Sequence, residues 1–245
     1  MLHCLFPSWE QMKEVPEAEK VSCPTCGDGI RVIEKELYKR VSRAYNWLFN
    51  LAIHSGHWKE VRSTALVGLC LELREPVNSP WLENIKNWLI EQQKPIGSNM
   101  ASWGEELWDT SMALICLKHL GFPQKDPHYQ KVIRWMISLY NKNKRHNWHD
   151  EPWETSWCVW AILETEPTPE LSEIAYNATK WLLSLQDPDG KIISPHYTAY
   201  FISVASKLLD YLKLSQEEKD VVFTAIAKAV KYLINSVQKD ILWTG

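Results

Sequence analysis

The sequence predicts an all-α protein, an α/α toroid built from repeated helix pairs, and two periodic patterns support this fold class. An aromatic residue followed by an apolar one recurs at intervals of 41, 47, 46 and 51 residues, as Trp47-Leu48, Trp88-Leu89, Trp135-Met136, Trp181-Leu182 and Tyr232-Leu233. A threonine recurs at intervals of 46, 45 and 43 residues, at Thr64, Thr110, Thr155 and Thr198. Two patterns with nearly the same period indicate stacked supersecondary units.

Two kinds of helix alternate along the chain. The amphipathic kind has apolar residues three or four apart, over residues 32–55, 82–89, 132–139, 174–185 and 222–233. The other kind is apolar on nearly every side, over residues 63–71, 110–120, 155–163 and 198–212. A helix that is apolar all round must be buried all round. We therefore predict an inner ring of apolar helices and an outer ring of amphipathic helices.

The helix pairs number about four and a half, which is fewer than a closed ring needs. We expect one apolar flank of the ring to be left open and to be covered by the N-terminal residues or by another chain. This flank predicts a protein partner or self-association.

The composition limits the class of protein. Of the 245 residues, 45% are hydrophobic and 23% are charged, which suits one substantial core. The net charge of −3 offers no basic surface to a nucleic acid. No apolar run approaches the roughly 20 residues that span a bilayer, and a signal peptide is not recognisable. We expect a cytoplasmic protein with no transmembrane segment, in which Cys70, Cys116 and Cys158 are buried free thiols.

Residues 1–30 lack the period and form an N-terminal extension, which precedes the repeat domain over residues 31–245. The extension contains Cys23-Pro24-Thr25-Cys26, the spacing of a single zinc knuckle. A structural zinc site needs four ligands, so the other two would come from His3 and Cys4 or from another chain. Zinc bound by Cys23 and Cys26 and two reduced thiols in a turn are both open interpretations.

Aromatic residues concentrate in and just after the loops that lead to the inner helices. In a toroid these loops surround one end of the central cavity, where ring faces suit an apolar or a cationic ligand. The predicted cavity residues are Trp103, Trp148, Trp157, Trp160, Tyr197 and Tyr200, together with His149. The alternative is that the rings pack on loop backbone and hold the repeats together. We favour that alternative for Trp108 and Trp153, which repeat in register.

Carboxylates in the same loops are candidate acids. Asp150 and Glu151 end the run His146-Asn147-Trp148-His149-Asp150-Glu151, which has the residue types for proton transfer or for a divalent metal. Glu106 precedes another inner helix. A solvated polar loop is the alternative for the run. Asp109 and Glu154 are expected to cap helix N-termini.

A family resemblance follows from the repeated motif. Trp181, Gln186 and Gly190 are spaced like Trp88, Gln93 and Gly97, and this pattern resembles the repeat of the terpene cyclase and protein prenyltransferase superfamily, which includes squalene and hopene cyclases. The catalytic domains of that superfamily are α/α toroids. The resemblance covers about residue 32 to the end and implies the fold.

The catalytic residues of that superfamily are not matched. Squalene-type cyclases protonate an olefin from an Asp-x-Asp-Asp run, but here Trp108 and Trp153 stand at the position of the middle Asp. The sequence has no adjacent aspartates for magnesium and diphosphate, and no Asp-x-Cys for catalytic zinc. The resemblance thus implies a non-catalytic binding module for a protein partner or an apolar ligand. The alternative is a small isoprenoid cyclase or prenyltransferase-type enzyme with an atypical acid, among Asp150, Glu151 and Glu106, or with an atypical metal site.

Overall fold

The computed structural model describes residues 21–22, 29–30, 43–44, 46–50, 58–73, 75–104, 106–166 and 168–238. Cys23 and Cys26, the predicted zinc ligands, lie outside the described residues. The helices are α1 (Val61–Glu72), α2 (Pro80–Glu91), α3 (Leu107–His119), α4 (Pro127–Lys142), α5 (Pro152–Leu163), α6 (Pro169–Ser184), α7 (Pro195–Tyr211) and α8 (Gln216–Gln238). Two antiparallel strand pairs join β1 (Val21–Ser22) to β2 (Gly29–Ile30) and β3 (Lys94–Ile96) to β4 (Met100–Ser102).

The all-α toroid architecture is confirmed. The inner helices α1, α3, α5 and α7 pack side by side in that order, and α2, α4, α6 and α8 lie outside them. The inner helices α3 and α5 are buried on nearly every side, each with nine buried residues, as their apolar sequences predict. Helical residues 46–50 precede α1 and contact α2 through Phe49 and Trp81, whose ring centroids are 5.7 Å apart.

Each inner helix begins three residues before the threonine that the sequence pattern marked. The threonine is therefore the fourth residue of α1, α3, α5 and α7 and does not cap the helix. Proline, which suits the first helical position because it lacks the N–H that has no partner there, begins α5 and α7.

The four threonines make one repeated hydrogen bond. The hydroxyl oxygen of each accepts from a backbone N–H six or seven residues upstream, in the segment that approaches the helix. The donors are Trp58 for Thr64, Trp103 for Thr110, Trp148 for Thr155 and Ile192 for Thr198, with donor–acceptor distances of 2.9–3.1 Å. All four threonines are fully buried. This bond sets how the chain enters the inner ring in every repeat.

The expected capping by Asp109 and Glu154 is wrong. The N-cap residues of α3 and α5 are Glu106 and Glu151, and the side chains of both make no capping hydrogen bond. Asp109 and Glu154 lie in the first turn instead, where a carboxylate still interacts favourably with the helix dipole.

The glutamines of the repeated motif connect neighbouring repeats. Gln93 Nε2 donates to the His128 carbonyl at 3.0 Å, and Gln186 Nε2 donates to the Ala225 carbonyl at 2.9 Å, so each glutamine binds the next outer helix. The segment between α2 and α3 contains the β3–β4 hairpin, whose turn includes Gly97.

One face of the first inner helix carries exposed side chains. Leu66 and Leu73 are 43% and 79% exposed, and Cys70 lies between them on the same face. The prediction of a buried thiol is therefore wrong for Cys70, whereas Cys116 and Cys158 are buried.

Replacing Gly190 with alanine is expected to destabilise the fold by about 3–5 kcal/mol, because the new Cβ would lie 2.2 Å from the Lys228 carbonyl oxygen and φ is +99°. Gly97→Ala is the matched control, since φ there is +62° and nothing lies within 4 Å of the added Cβ. We expect it to cost about 1 kcal/mol. Urea denaturation followed by circular dichroism measures both, and equal losses would refute the close contact between Gly190 and α8.

Candidate functional site

Aromatic side chains from three inner helices meet in a cluster that begins at the N-terminal end of the inner ring. Trp108 of α3 contacts Trp153 of α5 with ring centroids 4.5 Å apart, and Trp153 contacts Tyr200 of α7 at 4.6 Å. Trp157 stacks on Trp160 at 5.3 Å and contacts Tyr200 at 5.4 Å. His196 stacks on Trp153 at 5.1 Å. We call this cluster the aromatic mouth; its members are Trp108, Trp153, Trp157, Trp160, His196 and Tyr200.

Arg62 of α1 covers one edge of the aromatic mouth. Its guanidinium carbon lies 4.0 Å from the ring centroid of Trp108, a cation–π contact. Its Nε lies 3.1 Å from Asp109 Oδ1, and Glu106 is 3.9 Å away. Burial raises the pKa of Asp109, Arg62 lowers it, and Glu106 raises it further, with a net upward shift. The carboxyl of Asp109 is thus closer to holding a proton than an exposed aspartate would be.

Two indole N–H groups of the aromatic mouth have no hydrogen-bond partner. Trp108 Nε1 and Trp157 Nε1 are buried and unpaired, and Trp157 as a whole is 8% exposed. A buried donor without an acceptor costs about 1–3 kcal/mol. Both donors are enclosed by protein atoms, so the aromatic mouth presents apolar ring faces, and a ligand acceptor would reach the donors only if the surrounding side chains moved.

The structure divides the predicted cavity residues into two groups. Trp103 and Trp148 are almost fully buried, and their indole N–H groups donate to the carbonyls of Leu89 and Met136. They hold each loop against its own outer helix, so they do not line a ligand site. Trp157, Trp160 and Tyr200 belong to the aromatic mouth, and Tyr197 lies beside it, 6.5 Å from Trp153.

Trp108 and Trp153 connect neighbouring repeats, since their rings contact each other between α3 and α5. Trp103 and Trp148 were predicted to line the cavity, but they hold each loop within its own repeat. The signal was present in the sequence, because Trp103 and Trp148 lie seven residues before Thr110 and Thr155. Their backbone N–H groups donate to those threonines, and their side chains are then directed into the repeat.

The predicted acids lie near the aromatic mouth but have other partners. Asp150 is exposed, accepts from Asn147 Nδ2 at 3.0 Å and pairs with Arg145 at 3.3 Å, and these contacts lower its pKa. An acid with a lowered pKa is poorly suited to donate a proton. Glu106 and Glu151 are exposed N-cap residues of α3 and α5.

The loop before α5 is held by local contacts. His149 Nδ1 lies 2.8 Å from Glu154 Oε2, and Tyr140 pairs its hydroxyl with His146 at 3.0 Å. His146, His149 and Asp150 adopt left-handed backbone angles, with φ between 56° and 61°. In the described part of the chain, no group of three or more His, Cys, Asp or Glu side chains is arranged to hold a metal ion.

A polar network at the opposite end of the inner ring was not predicted. Glu164, 5% exposed, pairs with Lys207 and accepts from Trp160 Nε1 at 3.3 Å and from the Tyr211 hydroxyl at 3.4 Å. His119 lies between two carboxylates, 3.7 Å from Glu72 and 3.8 Å from Glu164. We call Glu72, His119, Glu164, Lys207 and Tyr211 the polar network; its members come from α1, α3 and α7 and, for Glu164, from the C-cap of α5.

The sequence positions of the polar network are related to those of the repeated threonines. His119, Glu164 and Lys207 each lie nine residues after the threonine of their helix, and Glu72 lies eight residues after Thr64. A polar residue at this position of an otherwise apolar helix is a signal that the sequence contains. It was missed because each inner helix was treated as uniformly apolar.

The chain was compared with family models, with curated sequences and with solved structures, and only the structures gave a match. No protein-family model matches the chain, and no curated protein matches it in sequence. In structure it is similar to the type II terpene cyclase MstE from Scytonema, both in complex with geranylgeranyl dihydroxybenzoate, the substrate, and without ligand, with TM-scores of 0.60 and 0.59. Each alignment has 12% sequence identity and covers 89% of this chain and 72% of the cyclase. The likeness supports a terpene cyclase-like fold.

A membrane-spanning helix is not found within the described ranges, where no helix combines sufficient length with sufficient apolar character.

The polar network makes stability depend on pH. Burial opposes ionisation of Glu164, but the contacts from His119 and Lys207 outweigh it and lower its pKa to about 2. The contact with Glu164 raises the pKa of His119 above 6.5. The contribution of Glu164 is therefore complete above about pH 4.5 and lost towards pH 2, while that of His119 is complete below pH 6.5 and lost as the pH rises through its folded pKa.

His119→Gln should therefore reduce the free energy of unfolding more at pH 5.5 than at pH 8.5. Urea denaturation at both values measures this, with His128→Gln as the control because His128 is exposed and outside the polar network. A loss for His119→Gln that is equal at the two pH values would contradict the assignment.

Lys207→Met is expected to destabilise the fold by about 3 kcal/mol, because it leaves the buried carboxylate of Glu164 without its main cation. Adding Glu164→Gln should recover part of the loss, since the neutral amide does not need that cation. Thermal denaturation of the single and double variants at pH 7 measures the coupling, and purely additive losses would argue against it.

Proposed function

We propose that the chain is a non-catalytic terpene cyclase-like toroid that serves as a binding module for an apolar ligand or a protein partner. The ligand is assigned to the aromatic mouth. The observation that supports the proposal most is the packing of Trp108, which lies between Arg62 at 4.0 Å and Trp153 at 4.5 Å. This tryptophan stands where the resembling cyclases have their acid.

The chemistry of the aromatic mouth defines the ligand class. Ring faces of Trp153, Trp157 and Tyr200 attract hydrocarbon and π-electron surfaces. The unpaired Nε1 groups of Trp108 and Trp157 are enclosed, and they would add two donors if binding opened the cluster of rings. A ligand with an unsaturated hydrocarbon chain and an oxygen acceptor would meet both features, and binding it would satisfy donors that are otherwise buried without partners.

The structural similarity suggests a first compound with which to test this ligand class. MstE takes geranylgeranyl dihydroxybenzoate as its substrate, so a geranylgeranyl chain with a terminal oxygen is a reasonable compound to test. Geranylgeraniol has the chain, the double bonds and a hydroxyl.

A second candidate function is an isoprenoid cyclase with an atypical acid, and Asp109 is the residue that favours it. Its carboxyl lies beside the aromatic mouth, and its pKa is raised chiefly by burial. In such a reaction the carboxylic acid would transfer its proton to an alkene carbon, and the resulting cation would close a ring and release a proton to a base. Substrate and product would have the same composition. Arg62, 3.1 Å from Asp109, opposes this role because it favours the ionised carboxylate.

Isothermal titration calorimetry with geranylgeraniol is expected to show saturable binding. Trp153→Leu should weaken the binding at least tenfold because it removes the central ring of the aromatic mouth. Trp181→Leu on outer helix α6 is the matched control and should leave the affinity unchanged. Absence of binding, or equal losses in both variants, would contradict the ligand site.

Gas chromatography of the extracted ligand separates the two candidate functions. A binding module returns geranylgeraniol unchanged after prolonged incubation. A cyclised product that is absent with the Asp109→Asn variant would support the cyclase and contradict the binding module.

A further inference from the structure

The last helix, α8, is apolar on two opposite sides. Val222, Ala225 and Ala229 are buried against the rest of the fold, and α8 packs on α7. On the other side Phe223, Val230 and Ile234 are exposed by 54%, 39% and 52%. With the exposed Ala227 these side chains fall at intervals of four, three and four residues, which places them on one helix face. We call this face the outer stripe; it consists of Phe223, Ala227, Val230 and Ile234.

We propose that the outer stripe is a homodimer interface in which α8 pairs antiparallel with α8 of a second copy about a two-fold axis near Ala227. This inference rests on the interaction part of the proposed function and names the partner. A two-fold contact uses the same surface on both copies, so the surface must be complementary to itself.

The charges of α8 are complementary in this orientation. Its first five residues include the acidic Glu217, Glu218 and Asp220 and one residue of opposite charge, Lys219. Its second half contains Lys228 and Lys231 and no acidic residue. Antiparallel pairing brings the acidic half of one helix beside the basic half of the other, whereas parallel pairing would place like charges together. The two helix dipoles are also opposed in the antiparallel pair.

The positions of individual charges fit as well. Asp220 and Lys231 are exposed and lie on the same side of the outer stripe, seven residues before and four residues after Ala227. A two-fold axis at Ala227 therefore brings each Asp220 within three residues of Lys231 of the second copy, about 5 Å along the axis. Ala227 is the smallest residue of the outer stripe and lies where the helices would approach most closely.

The size of the interface sets the strength to expect. One helix pair with four apolar side chains on each copy buries roughly 1,000 Å², the lower end for specific interfaces. We therefore expect a reversible dimer with a dissociation constant on the order of 10 μM.

Analytical ultracentrifugation of the full chain from 1 to 200 μM tests the interface. The dimer should form over this range, and Phe223→Glu should weaken it at least tenfold. Val221→Glu is the matched control, because Val221 is 56% exposed on the same helix but lines an open groove with Leu183 and Thr224, away from the outer stripe. A monomer at every concentration, or an equal effect of the two substitutions, would overturn the proposal.

A charge exchange tests the orientation. Asp220→Lys and Lys231→Asp should each weaken the dimer, and the double variant should restore it, with circular dichroism confirming that all variants are folded. Failure of the double variant to recover, or growth of the assembly beyond a dimer, would overturn the two-fold arrangement.

Binding of geranylgeraniol to Phe223→Glu distinguishes this inference from the proposed ligand site. The affinity should equal that of the unsubstituted chain, since the outer stripe and the aromatic mouth do not share residues. A missing dimer with intact ligand binding would overturn the dimer alone.

Discussion

A threonine hydroxyl in the first turn of every inner helix accepts a backbone N–H from the segment that approaches that helix, and the arrangement of both ends of the ring follows from it. The bond is buried in all four repeats. It fixes where the chain turns into the helix. Residues just before and after that turn are then directed either into the repeat or towards the end of the ring, which is why Trp103 and Trp148 are buried while Trp108 and Trp153 meet their neighbours.

Different kinds of side chain are buried at the two ends of the inner ring. At the polar network, the carboxylate of Glu164 is almost fully buried but interacts with a lysine, an indole, a phenol and an imidazole. At the aromatic mouth, ring contacts are extensive but the Trp108 and Trp157 donors are unpaired. Buried polar groups normally have partners. Unpaired donors are present at both ends, since the Tyr129 hydroxyl, whose pKa is raised by burial and by the charge of Glu164, is also buried without a partner. The dense contacts of Glu164 itself are suited to holding the inner helices together.

The fold could be predicted from the sequence because its period is marked by residues of distinctive type. Trp181, Gln186 and Gly190 mark the outer helices, and the buried threonines mark the inner ones. The residues of the site were harder to predict. Trp103 and Trp108 lie in the same stretch of sequence, and only the directions of their side chains give them different roles. Those directions depend on the β3–β4 hairpin and on left-handed turn residues such as Gly97 and His149, which no apolar period reveals. The exposed apolar faces of α1 and α8 could not be predicted, because the period separates inner from outer helices but does not show which face lacks a neighbour.

In three of the four inner helices the same separation between the threonine and the polar network limits how the chain can change in length. The nine residues from Thr110 to His119, and likewise from Thr155 to Glu164 and from Thr198 to Lys207, connect the two ends of one helix. One inserted residue there would turn the following side chains by about 100° and move the polar residue away from its partners. The hairpin and loops between the helices have no such restriction. Natural variation in length should therefore accumulate in these connections, while the span from each threonine to its polar residue stays constant.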